Sequence, residues 1–225
     1  MPIVRCDGRL IYFAHVPKCA GTAIEHYLAT CCGPLAFLDP AFNDLTTGPR
    51  WSVTSPQHVD AESLARLFPD GFFDEVFAVV RHPVDRLASV YQFQRDIEGH
   101  IPQRLGFVNW LTRLSESGAA SHARFDGHTR PMGDFVPEGA MIFRLEDGLG
   151  PLVSWLRQKL PGVELPDVIP ARNMLAARLR HAGLTARPPR ITARARALIR
   201  ALYAEDFRRF CYGSEESDTH CGQVA

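Results

Sequence analysis

The stretch Leu10-Ile-Tyr-Phe-Ala-His-Val-Pro-Lys-Cys-Ala-Gly-Thr22 decides how the rest of this 225-residue chain is read. Leu10 to Val16 is an apolar run that stops at Pro17, which suits a buried strand. Pro17 to Gly21 holds one lysine and one glycine and suits a tight loop. Ile24, Leu28 and Cys32 then recur every four residues, which predicts a helix over Thr22–Cys32. A strand feeding a helix through such a loop is an anion cradle. The first N–H groups of a helix have no partner within it and the helix dipole adds partial positive charge there. Lys18 and the Thr22 hydroxyl belong to the same space. A phosphate or a sulfate is the natural occupant.

In the commonest phosphate loop, Gly-x-x-x-x-Gly-Lys-Ser/Thr, the lysine follows the second glycine. Here Lys18 precedes Gly21, and no acidic strand end further on offers a magnesium ligand, so a small-molecule kinase is disfavoured. His15-Val-Pro-Lys-Cys-Ala-Gly-Thr22 instead resembles the 5′-phosphosulfate loop of the PAPS-dependent sulfotransferases, whose usual form is His-Ile-Pro-Lys-Thr-Gly-Gly-Thr. The resemblance implies that Pro17, Lys18, Cys19, Ala20, Gly21, Thr22 and Ala23 bind 3′-phosphoadenosine 5′-phosphosulfate (PAPS), with Lys18 also catalytic. The plainer reading is a solvated lysine on an ordinary turn. Scarcity argues against it, because Lys18 and Lys159 are the only lysines among 25 basic residues.

Downstream, Trp51–His58 reads as a short strand broken by Pro56, and Asp60 as the cap of a helix carrying Leu64, Leu67 and Phe68. His58 then stands at a strand-to-helix junction, where ligands of open α/β sheets collect. His58-Val-Asp-Ala-Glu-Ser-Leu-Ala-Arg-Leu-Phe-Pro69 resembles the family segment His-Leu-Pro-x-x-x-Leu-x-Pro that carries the catalytic base, with Asp60 in place of a proline. An imidazole titrates in the range a base for a hydroxyl proton needs. A histidine that caps a helix or satisfies a carbonyl is the competing account.

Glu75–Val80 is rich in β-branched and aromatic residues and reads as a central parallel strand. Pro83 at a first helical position and Asp85 in the first turn open a helix running to about Asp96. Val79-Val-Arg-His-Pro-Val-Asp-Arg-Leu-Ala-Ser-Val-Tyr91 is similar to the family's 3′-phosphate segment, Val-Arg-(Asp/His)-Pro-x-x-Arg-x-x-Ser-x-Tyr. The resemblance implies that Arg81 and Ser89 take the 3′-phosphate and that Arg86 braces the helix or the nucleotide.

Phe107, Trp110, Leu111 and Leu114 form a helical core face within Arg104–Ser117, and Gly118–Gly139 is a long irregular stretch. Within it, Phe125–Phe135 resembles a segment of family members with carbohydrate acceptors, although Met132 stands where glutamine is usual. His128 and Arg130 are the candidate acceptor contacts, and the base is open between His58 and His128. Ala140–Leu145 reads as a strand, Glu146–Leu160 as a helix, and the six arginines between Arg178 and Arg196 as a solvated helix face. Thr192–Phe210 reads as one helix capped by Thr192 and resembles the family's closing segment.

The fold expected is an α/β, P-loop-like, three-layer α/β/α domain with a central parallel sheet, one domain over residues 1–213 and a disordered tail over 214–225. Zero formal charge gives no field for nucleic acid. The six cysteines lack zinc-site spacing and read as free thiols of a reducing compartment. With no signal-like or membrane-anchoring segment, the resemblance is to a soluble, bacterial-type cytoplasmic enzyme. It implies sulfuryl transfer from PAPS to a hydroxyl, with no metal. Carbohydrate is the favoured acceptor; lipid, peptide tyrosine and small-molecule hydroxyls are open. A PAPS-binding module without catalysis is the rival class.

Overall fold

The computed structural model describes residues 2–42, 46, 52, 54–117, 124–171, 175–181, 183, 185 and 187–213. In chain order the strands are β1 (Ile3–Cys6), β2 (Arg9–Ala14), β3 (Glu75–Val80) and β4 (Met141–Arg144). The helices are α1 (Gly21–Cys32), α2 (Ala61–Leu67), α3 (Pro83–Asp96), α4 (Phe107–Ser117), α5 (Gly150–Lys159), α6 (Leu175–His181), α7 (Ala193–Leu202) and α8 (Ala204–Arg209). The chain groups into two compact units, Met1–Val80 with Met132–Arg172, and Arg81–Pro131 with Asn173–Ala225.

The first unit contains the sheet, in spatial order β1-β2-β3-β4. β2, β3 and β4 run parallel, with Phe13 beside Phe77 and Phe77 beside Met141. Because successive residues of a strand point to opposite faces, Val4, Ile11, Phe13, Phe77, Val79 and Phe143 share one face. There they pack with Ile24 and Leu28 of α1 and with Leu152, Val153, Trp155 and Leu156 of α5. Tyr12, Ala14, Ala78 and Val80 are buried on the other face. Tyr12 stacks on Phe73 with centroids 5.2 Å apart, and burial, aided by the Asp60 charge, pushes its phenol above the usual range.

The sheet is parallel through β2, β3 and β4, as expected, and β1 adds an edge strand that pairs antiparallel with β2. Its two-residue turn places Asp7 at φ 50° and Gly8 at φ 73°, the positive pair that a tight hairpin demands. The Asp7 carboxylate also accepts from the Gly162 N–H at 3.1 Å. Asp-Gly between two short apolar runs was the available signal. The strand from Leu10 starts one residue earlier and stops at Ala14, because Pro17 and the turn before it end the pairing.

Pro56, which has no N–H for a ladder, breaks the stretch as expected and opens a 3₁₀ turn, Pro56–His58, while the short strand expected ahead of it falls partly outside the described residues. Trp51 and Val53 lie outside the described residues. α2 is capped as expected, the Asp60 carboxylate accepting from Ser63 N–H at 2.8 Å. The helix expected over Glu146–Leu160 is a 3₁₀ turn, Leu145–Asp147, followed by α5, which opens with Pro151 in its first turn.

In the second unit His82 caps α3, its Nδ1 accepting from Val84 N–H at 3.3 Å. Tyr91 of α3 packs its ring on Phe107 and Trp110 of α4, whose apolar face is buried as read. The single closing helix is corrected to α7 and α8, broken at Tyr203, whose hydroxyl donates to Thr129 O at 2.6 Å. Thr192 caps α7 as expected. The arginine-rich stretch is only partly helical: Arg180 lies on α6 and Arg194 and Arg196 on α7, while Arg187 and Arg190 lie outside a helix, all five exposed. Cys6, Cys19, Cys31 and Cys32 are free, but Cys211 is disulfide-bonded, which corrects the expectation of free thiols throughout. The tail over 214–225 lies outside the described residues.

Candidate functional site

The loop that leaves β2 lies at the carboxyl end of a parallel strand, the end at which open α/β sheets bind ligands. Val16 N–H donates back to Ala14 O at 3.0 Å and turns the chain. Lys18 and Ala20 then adopt left-handed conformations, φ 67° and φ 66°, on either side of Cys19. Alternation of this kind directs successive backbone N–H groups toward one concavity, which suits an anion. Ala20 is also the N-cap of α1; its carbonyl accepts from Ala23 and Ile24 N–H at 3.0 and 3.3 Å. Pro17, Cys19, Gly21 and Ala23 are buried, Lys18 and Ala20 half-buried, and Thr22 exposed.

Behind the loop stands a group of polar side chains that the sequence reading did not assemble. His15 Nδ1 lies 2.6 Å from Glu25 Oε1, and both side chains are buried. The His58 ring meets the His15 ring edge-on, with centroids 4.7 Å apart, and His58 Nδ1 lies 3.3 Å from Ser55 Oγ. The first unit therefore brings His58 into the neighbourhood of the loop through His15. Burial alone would raise the Glu25 carboxyl, but His15, through charge and hydrogen bond, with His58 adding to it, holds it below the usual range. Glu25 was overlooked, although it is a lone carboxylate beside Ile24 and four residues before Ala29 on a helix otherwise apolar on its inner face.

In the second unit Arg81 directly precedes the capped start of α3 and Ser89 lies on it, both half-buried. Arg86 is wholly buried, its Nη2 donating to His128 O at 3.1 Å and to Arg130 O at 2.6 Å. Of the two bracing roles read for Arg86, the described contacts include this brace of a loop. His128 is buried, with its ring 5.7 Å from that of Phe93, and Arg130 is half-buried.

A family model described as the sulfotransferase family matches residues 1–135, more than half of the chain. The chain belongs to the sulfotransferase family. The match takes in the Lys18 loop, the His58 turn, Arg81–Tyr91 and Phe125–Phe135, and stops short of the closing segment that also resembles the family. Comparison with curated proteins and with solved structures found no match. As a sulfotransferase the protein is a transferase whose chemistry is sulfuryl transfer to a hydroxyl-bearing acceptor, built on a mostly parallel α/β sheet flanked by helices. No helix among the described residues of this sulfotransferase is long and apolar enough to cross a membrane.

Proposed function

We propose that the protein transfers the sulfuryl group of PAPS to an acceptor hydroxyl by in-line displacement, with residues 1–213 acting as one catalytic domain. The observation that carries this reading is the backbone of the loop: two left-handed residues, Lys18 and Ala20, at the end of a parallel strand and the start of a 12-residue helix. That geometry suits a doubly charged phosphosulfate, and Lys18 supplies a cation beside it.

Lys18 and the loop N–H groups stabilise the charge that grows on the bridging oxygen as the bond to sulfur breaks, and Thr22 holds the 5′-phosphate. His58 takes the proton of the attacking hydroxyl. Arg81 and Ser89 take the 3′-phosphate, which tells adenosine 3′,5′-bisphosphate from a plain nucleotide. Positioning and charge stabilisation supply most of the rate, as in phosphoryl transfer, and cationic side chains do the neutralising. Carbohydrate is the acceptor class favoured, with His128 and Arg130 as its contacts, and the cytoplasm the expected setting.

The test is calorimetric titration with adenosine 3′,5′-bisphosphate, in parallel with ATP and magnesium, for wild type and Arg81→Ala. The expected result is preferential bisphosphate binding that Arg81→Ala weakens, followed by sulfate transfer from labelled PAPS to a hydroxyl acceptor. Equal or better binding of ATP overturns the nucleotide assignment. Bisphosphate binding with no transfer to any acceptor class supports a binding module instead.

A further inference from the structure

Nothing in the transfer just described uses Glu25, yet it is a buried carboxylate, only 7% exposed, on the inner face of α1. Its hydrogen bond to His15 Nδ1 joins residues ten apart, one just after β2 and the other at the start of the second turn of α1. The bond therefore spans the whole anion loop. The His15 ring lies against the backbone of Gly21: a Cβ added there would sit 1.8 Å from His15 Nε2 and 2.1 Å from Cδ2. Phe13 stacks on the same ring, centroids 5.5 Å apart and planes within 10°. The imidazole is thus held by Phe13, Gly21, Glu25 and the edge of His58.

A carboxylate and an imidazole taken out of water recover the loss only by pairing, and an apolar pair of equal volume would serve stability as well. What the polar pair adds is direction, one N–H···O vector fixed between the two ends of a loop. Charge points the same way. A bare carboxylate behind an anion site would repel the anion, and the proton on His15 Nδ1 faces that carboxylate and offsets it.

We infer that Glu25 is a positioning residue of the anion loop: through His15 Nδ1–H it ties the end of β2 to the second turn of α1 and fixes the backbone over which the anion sits. The inference rests on the sulfotransferase reading of that loop.

The test uses the full chain as wild type, Glu25→Gln and Glu25→Asp. Glu25→Gln keeps the shape and removes the charge. Side-chain nitrogen-15 spectra should show a strongly downfield His15 Nδ1 proton in wild type that Glu25→Gln loses. Bisphosphate affinity should fall about tenfold or more, as when a partner that orients a functional imidazole is removed, with cooperative melting retained. Glu25→Asp should restore part of both signals. Wild-type affinity in Glu25→Gln overturns the inference, as does a loss of affinity that merely follows melting temperature across the two variants. If Glu25→Gln does not fold, Glu25→Asp decides on the same spectrum and titration. Inorganic sulfate titrated in parallel separates the two readings. Wild type that binds sulfate with Glu25 dependence but not the bisphosphate overturns the nucleotide assignment alone; wild type that binds neither overturns both.

Discussion

Ala20 is held at φ 66°, a conformation that costs a residue with a Cβ about 1–2 kcal/mol. The usual family loop has glycine there. Ala20→Gly should therefore stabilise by up to about 1 kcal/mol once the larger entropy of unfolded glycine is set against the relief, and raise the melting temperature by about 2–4 °C. Ala20→Val should lower it, and scanning calorimetry of both variants checks the pair. Next to it, Lys18→Ala should lose about two to three powers of ten in turnover with labelled PAPS, the scale of a lost transition-state donor. Turnover close to wild type would take Lys18 out of the chemistry. The strand-loop-helix turn around Lys18 and Gly21 was legible because apolar run, proline and glycine fall in one short stretch. Glu25 was not, because its importance comes from His15 lying across the loop, and linear spacing does not show which buried groups meet.

At the scale of elements, β3, α3 and α4 were legible because each joins a clear period to a clear punctuation: apolar run, Pro83, or the face through Phe107 and Trp110. The break between α7 and α8 was not. Apolar spacing continues through Tyr203, and the interruption coincides with a buried hydrogen bond to Thr129, a residue 74 positions away. Within the second unit Arg86 joins α3 to two carbonyls of the 128–130 turn. Arg86→Met should cost about 2–4 kcal/mol in urea unfolding, because buried acceptors lose a charged donor. Arg86→Lys should recover little, since an ammonium cannot reproduce the planar fork.

For the whole molecule, the depressed Glu25 carboxyl makes stability depend on pH. Its folded value lies below the usual 4.5, so the stability it contributes is present above that value and is lost as pH falls through the folded value. The gap in unfolding free energy between wild type and Glu25→Gln should therefore be widest near neutrality and shrink below about pH 4.5, measured by urea unfolding at both ends. The order of strand, anion loop and helix was readable from the amino terminus inward, whereas β1, too short at four residues for a period, was signalled only by the Asp7-Gly8 turn. That hairpin has a practical consequence. β1 covers the side of β2 away from β3, and its own outer side is occupied at Ile3 by a two-way bridge to Ala36. A version of the chain starting at Arg9 would leave the backbone of β2 bare along its length, a template for cross-molecular pairing, so solubility is best protected by trimming or tagging elsewhere.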